Sequence, residues 1–245
     1  MQPQIFIDTA DVEAIRTWNK RGIIDGVTTN QKIFSAQLEK YGIVDVKKTV
    51  IAICKEVSGS VSVELTTHES VKDMMSEAIE YASWHHNVAV KVPMTPDGLG
   101  LDVVRELTRL KIKTNMTIMM TAAQLILAAK AGATYVSLFY NRAKDAGLDP
   151  KREISLAKKY IQEANLTSRI IAGSIRKPED VSEIVEANAD IITIPDKILD
   201  EMLKHEMTDK TIIEFDESWK AFMATLESAK AKAPTSTKKP YIQSK

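Results

Sequence analysis

The sequence predicts a (β/α)8 barrel, an α/β fold, with one extra helix after its eighth unit. Short β-branched runs alternate with longer amphipathic stretches eight times along the chain, as in parallel strands joined by crossover helices. Eight such units in about 200 residues lie near the lower size limit for a closed barrel. The competing arrangement is a doubly wound open sheet. Its dinucleotide-binding form carries a glycine-rich turn after the first strand, and this chain has none there.

Side chains alternate faces along a strand, so residues two apart share one. The first strand is expected at Gln4–Asp8, with Ile5 and Ile7 toward the helices and Phe6 and Asp8 inward. The second, Gly26–Asn30, gives Thr28 and Asn30 one parity. In the third, Val61–Leu65, the apolar set is Val61, Val63 and Leu65, which leaves Ser62 and Glu64 inward. Helical patterns such as Val71–Ser83 follow, as does Thr121–Ala131 further on. The fourth strand, Val88–Val92, puts Val88, Val90 and Val92 outward and Ala89 and Lys91 inward. Asn115 and Thr117 share a parity in Lys113–Thr117, and Ser137 and Phe139 do so in Tyr135–Phe139. Ser174 and Arg176 do so just past the seventh strand, Ile170–Ser174. A helix over Pro178–Ala187 then leads to the eighth strand, Ile191–Ile194.

The last helix is expected over about Asp209 to Lys230. Its stripe of Ile212, Phe215, Trp219, Phe222 and Leu226 would pack on the barrel or on a neighbouring subunit. Residues 1–233 read as one domain, and 234–245 as a solvated, flexible tail.

Composition narrows the function classes. The 245 residues carry equal numbers of basic and acidic side chains, 33 each, and 44% are hydrophobic. A neutral balance gives no argument for nucleic acid or an anionic membrane as partner. No apolar run approaches the roughly 20 residues that span a bilayer, and the first residues do not read as a signal peptide. The single cysteine, Cys54, excludes an intrachain disulfide and suits the cytoplasm. It lies in the helical-looking segment Val50–Val57 and reads as a small core residue. His68, His85, His86 and His205 fall in helices or loops, away from the strand ends where a barrel would hold a metal. No metal or cofactor is expected.

The chemistry centres on Lys91. A lysine within the apolar run Val88–Pro93 is costly to bury charged, and desolvation turns its amine into a nucleophile for carbonyls. Taken alone it also reads as a lysine paired with a carboxylate or reaching outward. The inward sets near the carboxyl ends of the neighbouring strands favour the first reading, because that is where barrel enzymes place their active sites. Forming an imine expels water, so a proton carrier must stand near the nitrogen. Glu64 and Thr117 flank it and could hold that water. Asp8 is placed to take a proton from a substrate hydroxyl. Its alternative is a helix cap near Thr9-Ala10-Asp11, and for Glu64 the alternative is a plain ion pair with Lys91. Arg142, Ser174 and Arg176, on adjacent loops, form a set of donors suited to phosphate, although each arginine alone also reads as a surface ion pair.

Seven ordered segments then carry a resemblance. They are Ile7-Asp-Thr-Ala10, Gly26-Val-Thr-Thr-Asn30, Val61-Ser-Val-Glu64, Val90-Lys-Val-Pro93, Asn115-Met-Thr117, Ala129 to Ser137, and Ala172-Gly-Ser-Ile-Arg176. The chain resembles the transaldolase family, and within it the short transaldolases and their sister fructose-6-phosphate aldolases. The resemblance implies that Lys91 is the Schiff-base lysine and Asp8 the acid/base, with Glu64 and Thr117 positioning the catalytic water. It further implies that Asn30 and Ser137 hold hydroxyls of a three-carbon unit, supported by Thr28 and Asn115. Arg142, Ser174 and Arg176 would bind the sugar phosphate. Glu64 and Phe139 match the transaldolases, where the sister aldolases carry Gln and Tyr. The implied activity moves a dihydroxyacetone unit from sedoheptulose 7-phosphate or fructose 6-phosphate to an aldose phosphate in the pentose phosphate pathway. The alternative releases free dihydroxyacetone. The resemblance also implies a pentamer or decamer. Gln31, Leu138, Met120-Thr121 and Ile175 depart from the family pattern, and Gln31 in place of proline is expected to loosen the second loop.

Overall fold

The computed structural model describes residues 3–42 and 44–232. Eight parallel strands close in sequence order, each hydrogen-bonded to the next and the eighth to the first. They are β1 (Gln4–Asp8), β2 (Gly26–Thr28), β3 (Val61–Glu64), β4 (Val88–Pro93), β5 (Thr114–Met119), β6 (Tyr135–Phe139), β7 (Arg169–Gly173) and β8 (Ile191–Ile194). The helices between them are α1 (Val12–Lys20), α2 (Gln31–Tyr41), α3 (Val46–Glu56), α4 (Val71–Trp84), α5 (Leu99–Arg109), α6 (Ala122–Ala131), α7 (Tyr140–Asp145), α8 (Pro150–Glu163) and α9 (Pro178–Glu186). α10 (Asp196–Met202) follows β8. The closed barrel is the fold the alternation predicts, and an open sheet is excluded.

Local chemistry explains the boundaries. Asp11, Asn30, Asp45, Ser70, Thr121 and Asp149 each accept backbone N–H bonds at the start of a helix, offsetting about 1 kcal/mol apiece of unsatisfied donors. Asn30 therefore belongs to the cap of α2, and β2 ends two residues earlier than the sequence pattern suggests.

Parity decides the core. Ile7, Val61, Val63, Val88, Val90 and Val92 join the large cluster between sheet and helices. Inside the barrel Phe6, Ala89, Tyr135, Ile171 and Ile191 form a separate apolar plug. Phe6 meets Tyr135 edge-on at 6.2 Å between ring centroids, and the Tyr135 hydroxyl bonds Ser60 at 2.8 Å. Gly26 is required beside this plug, since a Cβ there would stand 2.6 Å from the Phe6 ring. The plug fills the barrel interior below the polar residues, so it acts as their floor.

The barrel unit ends at Glu201, and Met202 onward forms a second unit. Within it, α11 (Glu206–Lys232) is one long helix, three residues earlier in its start than the apolar stripe predicts. Trp219 and Phe222 stack on it with ring centroids 5.4 Å apart. The expected tail, 234–245, lies outside the described residues. No described helix is long and apolar enough to cross a membrane.

Candidate active site

Register brings the polar groups together. Across the ladders Asp8 pairs with Thr28, Thr28 with Ser62, Glu64 with Lys91, and Lys91 with Asn115. Because each of these residues points inward, the strand-to-strand neighbours become side-chain neighbours inside the barrel.

Lys91 is 5% exposed. Its Nζ lies 3.0 Å from Glu64 Oε2 and donates to the Thr29 carbonyl at 3.2 Å. Desolvating such an ammonium is expensive, and the carboxylate and carbonyl together offset the cost. Thr28 Oγ1 donates to Asp8 Oδ1 at 2.6 Å and accepts from Thr193 Oγ1 at 2.5 Å. Burial pushes the Asp8 carboxyl above its usual range. The Lys91 charge and the Thr28 hydroxyl pull it back, and the Glu64 charge adds to the rise. Lys91 thus feels two carboxylates, Glu64 in direct contact and Asp8 through its charge. Asp8 caps no helix, since Asp11 caps α1.

A second chain of hydrogen bonds crosses the barrel. Ser137 Oγ donates to Asn115 Oδ1 at 2.6 Å, and Asn115 Nδ2 donates to Ser62 Oγ at 3.0 Å. Thr117 is fully buried and its hydroxyl has no hydrogen-bond partner among the described residues. On β5 the register shifts between Met116 and Met119, and Ile118 adopts φ +61°. A β-branched residue in that conformation is strained, and such strain gathers at functional sites. The kink turns Ile118 into the mouth of the barrel beside the Thr117 backbone.

These groups open on a cavity of about 610 Å³, lined among others by Asp8, Thr28, Asn30, Glu64, Lys91 and Ser137. Phe139, Arg142 and Ser174 line it as well. The Arg142 guanidinium sits 5.2 Å from the centre of the Phe139 ring, a cation–π contact that orients it. Asn115 and Thr117 are fully buried and are not among the cavity's lining residues. Arg176 is not brought to the cavity. Its guanidinium makes a two-point ion pair with Asp145 at 2.9 and 2.5 Å, and both side chains are half exposed.

Several further lining residues were not read from the sequence as part of the site. Thr193 lines the cavity and bonds Thr28. The parity test would have found it, because Ile192 and Ile194 face outward and leave Ile191 and Thr193 inward. Lys32 and Ile33 reach the cavity from α2, and Ile118 from the β5 kink; no strand periodicity points to any of the three. Gln31, where the family pattern has proline, donates from Nε2 to the Leu65 carbonyl at 2.6 Å and so ties the second loop to the end of β3.

A buried lysine paired with one carboxylate and near a second, at the carboxyl ends of barrel strands, is a constellation that comparison with known proteins can test. A family model described as transaldolase/fructose-6-phosphate aldolase matches residues 5–240. The chain belongs to this family. A probable transaldolase of Streptococcus equi subsp. zooepidemicus is 40% identical over 219 residues, covering 89% of this chain and 99% of that protein. A probable transaldolase of Clostridium tetani is 41% identical over 218 residues, 89% of this chain and 98% of its own length. One from Oceanobacillus iheyensis is 42% identical over 216 residues, 88% and 98% of the two chains. The barrel just described is therefore that of a transaldolase-family enzyme, and the similarity spans nearly the whole of each relative.

Proposed function

We propose that this transaldolase-family enzyme moves a dihydroxyacetone unit from a ketose phosphate to an aldose phosphate through a Schiff base on Lys91. The observation that carries the reading is the buried Lys91 amine, 3.0 Å from Glu64 and facing a cavity that Asp8 also lines. The amine attacks the ketone carbon of fructose 6-phosphate or sedoheptulose 7-phosphate and gives a carbinolamine. Protonation of its hydroxyl, with Glu64 as the carrier, expels water and leaves an iminium. The Thr117 hydroxyl, without a partner among the described residues, supports the reading that it holds this water beside Glu64.

Asp8 then takes the proton from the C4 hydroxyl. The C3–C4 bond breaks, its electron pair moves into the iminium, and an aldehyde leaves. The product is an enamine on Lys91. Attack of the enamine on a second aldehyde forms a new bond, Asp8 returns its proton to the new hydroxyl, and hydrolysis frees a ketose three carbons longer than that acceptor. Burial suits Asp8 to this role, because a carboxyl held above its usual range accepts a proton more readily near neutral pH. Asn30 and Ser137 hold hydroxyls of the three-carbon unit, and Arg142 and Ser174 receive the phosphate, with Arg176 joining once it leaves Asp145.

Two cavity residues favour transfer over release of free dihydroxyacetone. Phe139 presents a ring without a hydroxyl, so it offers the waiting enamine no proton. Glu64, where the sister aldolases carry Gln, stands 3.0 Å from the Lys91 nitrogen. The reaction belongs to the cytoplasm and the pentose phosphate pathway, and the subunits assemble as a pentamer or decamer through the α11 stripe around Trp219 and Phe222. Light scattering on the purified protein measures that assembly.

Borohydride reduction in the presence of fructose 6-phosphate, followed by peptide mass mapping, tests the chemistry. The adduct is expected on Lys91 and on no other lysine, and Lys91→Met should lose it while staying folded. An unmodified Lys91 under turnover conditions would overturn the Schiff-base reading. Dihydroxyacetone released without any acceptor aldehyde, as fast as it is transferred with one, would move the enzyme to the sister aldolases.

A further inference from the structure

The phosphate reading places Arg142 and Ser174 on two separate loops, and something must fix the distance between them. Asn141, next to Arg142 in α7, is buried, and its Nδ2 donates to the Ser174 carbonyl at 2.9 Å and to Asp180 Oδ2 at 2.6 Å. Asp180 is completely buried in the first turn of α9. The same Oδ2 accepts the backbone N–H of Arg176 at 3.0 Å and of Lys177 at 3.2 Å. Among the described residues its other oxygen makes no hydrogen bond and meets the Lys144 ammonium 3.7 Å away.

Taken alone, Asp180 is a helix-capping aspartate. Asn141 changes its meaning, because one amide couples the cap to the loop after β6. Ser174 sits at φ +62°, a conformation that persists in a non-glycine residue only when its surroundings hold it. The amide on its carbonyl supplies part of that hold. Tyr140 and Lys144, also in α7, both bond Glu183 of α9 at 2.5 Å. The buried Asn141–Asp180 pair is thus the inner member of a set of ties between α7 and the β7–α9 segment.

We infer that Asn141 and Asp180 are positioning residues for the phosphate clamp, holding Arg142 and the Ser174–Arg176 loop in one registry. Neither needs to touch substrate. The inference rests on the assignment of phosphate to Arg142 and Ser174. It predicts an effect confined to the phosphorylated end of the donor, which general damage to the barrel would not produce.

The experiment compares fructose 6-phosphate with unphosphorylated fructose as donor to a common acceptor. The proteins are wild type, Asn141→Ala, Asp180→Ala, Asp180→Asn and Arg142→Ala. Asn141→Ala is expected to raise KM for the phosphorylated donor about tenfold, as the loss of two buried hydrogen bonds implies. Its kcat should stay within about twofold and its kcat/KM for fructose should not change. Asp180→Asn keeps an acceptor oxygen for Asn141 and the two backbone N–H groups, and is expected to recover most of the affinity that Asp180→Ala loses. Equal losses on both donors in Asn141→Ala overturn the inference. If that variant does not fold, Asn141→Gln, which keeps the amide but displaces it by one methylene, carries the same comparison and is judged by the same outcomes. Arg142→Ala separates the two levels. If it fails to discriminate between the donors, the phosphate assignment itself is wrong; if it discriminates and Asn141→Ala does not, only the positioning role falls.

Discussion

Removing the Glu64 carboxylate isolates the Lys91 amine among groups that cannot solvate it, and the size of the loss can be worked out. The pair is 3.0 Å apart with side-chain exposures of 6% and 9%, so water screens it little. Deleting one partner of a buried pair costs about 3–5 kcal/mol, because the other is left charged and unpaired. A lysine can escape by losing its proton. From an unfolded value of about 10.4, doing so at pH 7 costs about 3.4 units at ~1.36 kcal/mol each, or about 4.6 kcal/mol. Both routes give the same range, and the Thr29 carbonyl that stays on the amine pulls the result toward the lower end. Glu64→Ala should therefore lose about 3–4 kcal/mol at pH 7, or about 6–16 °C of Tm at about 2–4 °C per kcal/mol for a domain of this size. The sign of its pH dependence is also fixed. An unpaired buried lysine has a lowered folded-state pKa, so the unfolded chain binds more protons and the variant regains stability as pH rises toward 10. Urea unfolding at pH 7 and 9.5 reads both effects, with Lys91→Met/Glu64→Ala as the control in which no buried ammonium remains. A loss that is equally large in the Lys91→Met background, or a variant within about 0.5 kcal/mol of wild type, would refute the reasoning.

The Asp8 carboxyl is raised by burial, so the folded chain holds this proton to higher pH than the unfolded chain. Its contribution to stability falls as pH rises from about 3.9 through the folded value. Asp8→Asn should accordingly be more stable than wild type at neutral pH, with a flatter acid limb in urea titrations and an activity loss of about 10²-fold or more. Burial pushes the Cys54 thiol up to about 12, which leaves almost no thiolate at pH 8. Iodoacetamide should modify it only after denaturation, and rapid labelling of the folded protein would contradict its buried setting. At Gly100 an added Cβ would lie 2.2 Å from the Pro93 carbonyl oxygen, a backbone atom that cannot move aside. Gly100→Ala gains up to about 1 kcal/mol of helix propensity but should still be less stable, since overpacking costs about 1–3 kcal/mol or more. A thermal melt at or above wild type would sink that account.

Much of the site was legible because a strand repeats every two residues. Outward valines at 88, 90 and 92 leave Lys91 nowhere to point but inward, and the same logic gives Asp8 and Glu64. The apolar periodicities also locate each strand to within about two residues, since burial of one face is what forms it. Alternation could not fix how far each strand is shifted against the next. Only the closed ladder sets Glu64 directly opposite Lys91 and Thr28 opposite Asp8. Loops obey no such period. The bond from Gln31 to Leu65, the turned-in Ile118 and the pairing of Arg176 with Asp145 depend on chain paths that meet only when the barrel is closed. The sequence by itself determined which faces are buried and which chemical groups are inside, because one strand or helix suffices to segregate apolar from polar. The tertiary structure decided which of those groups touch, because a distance between strands is a property of the assembled sheet and of no single segment.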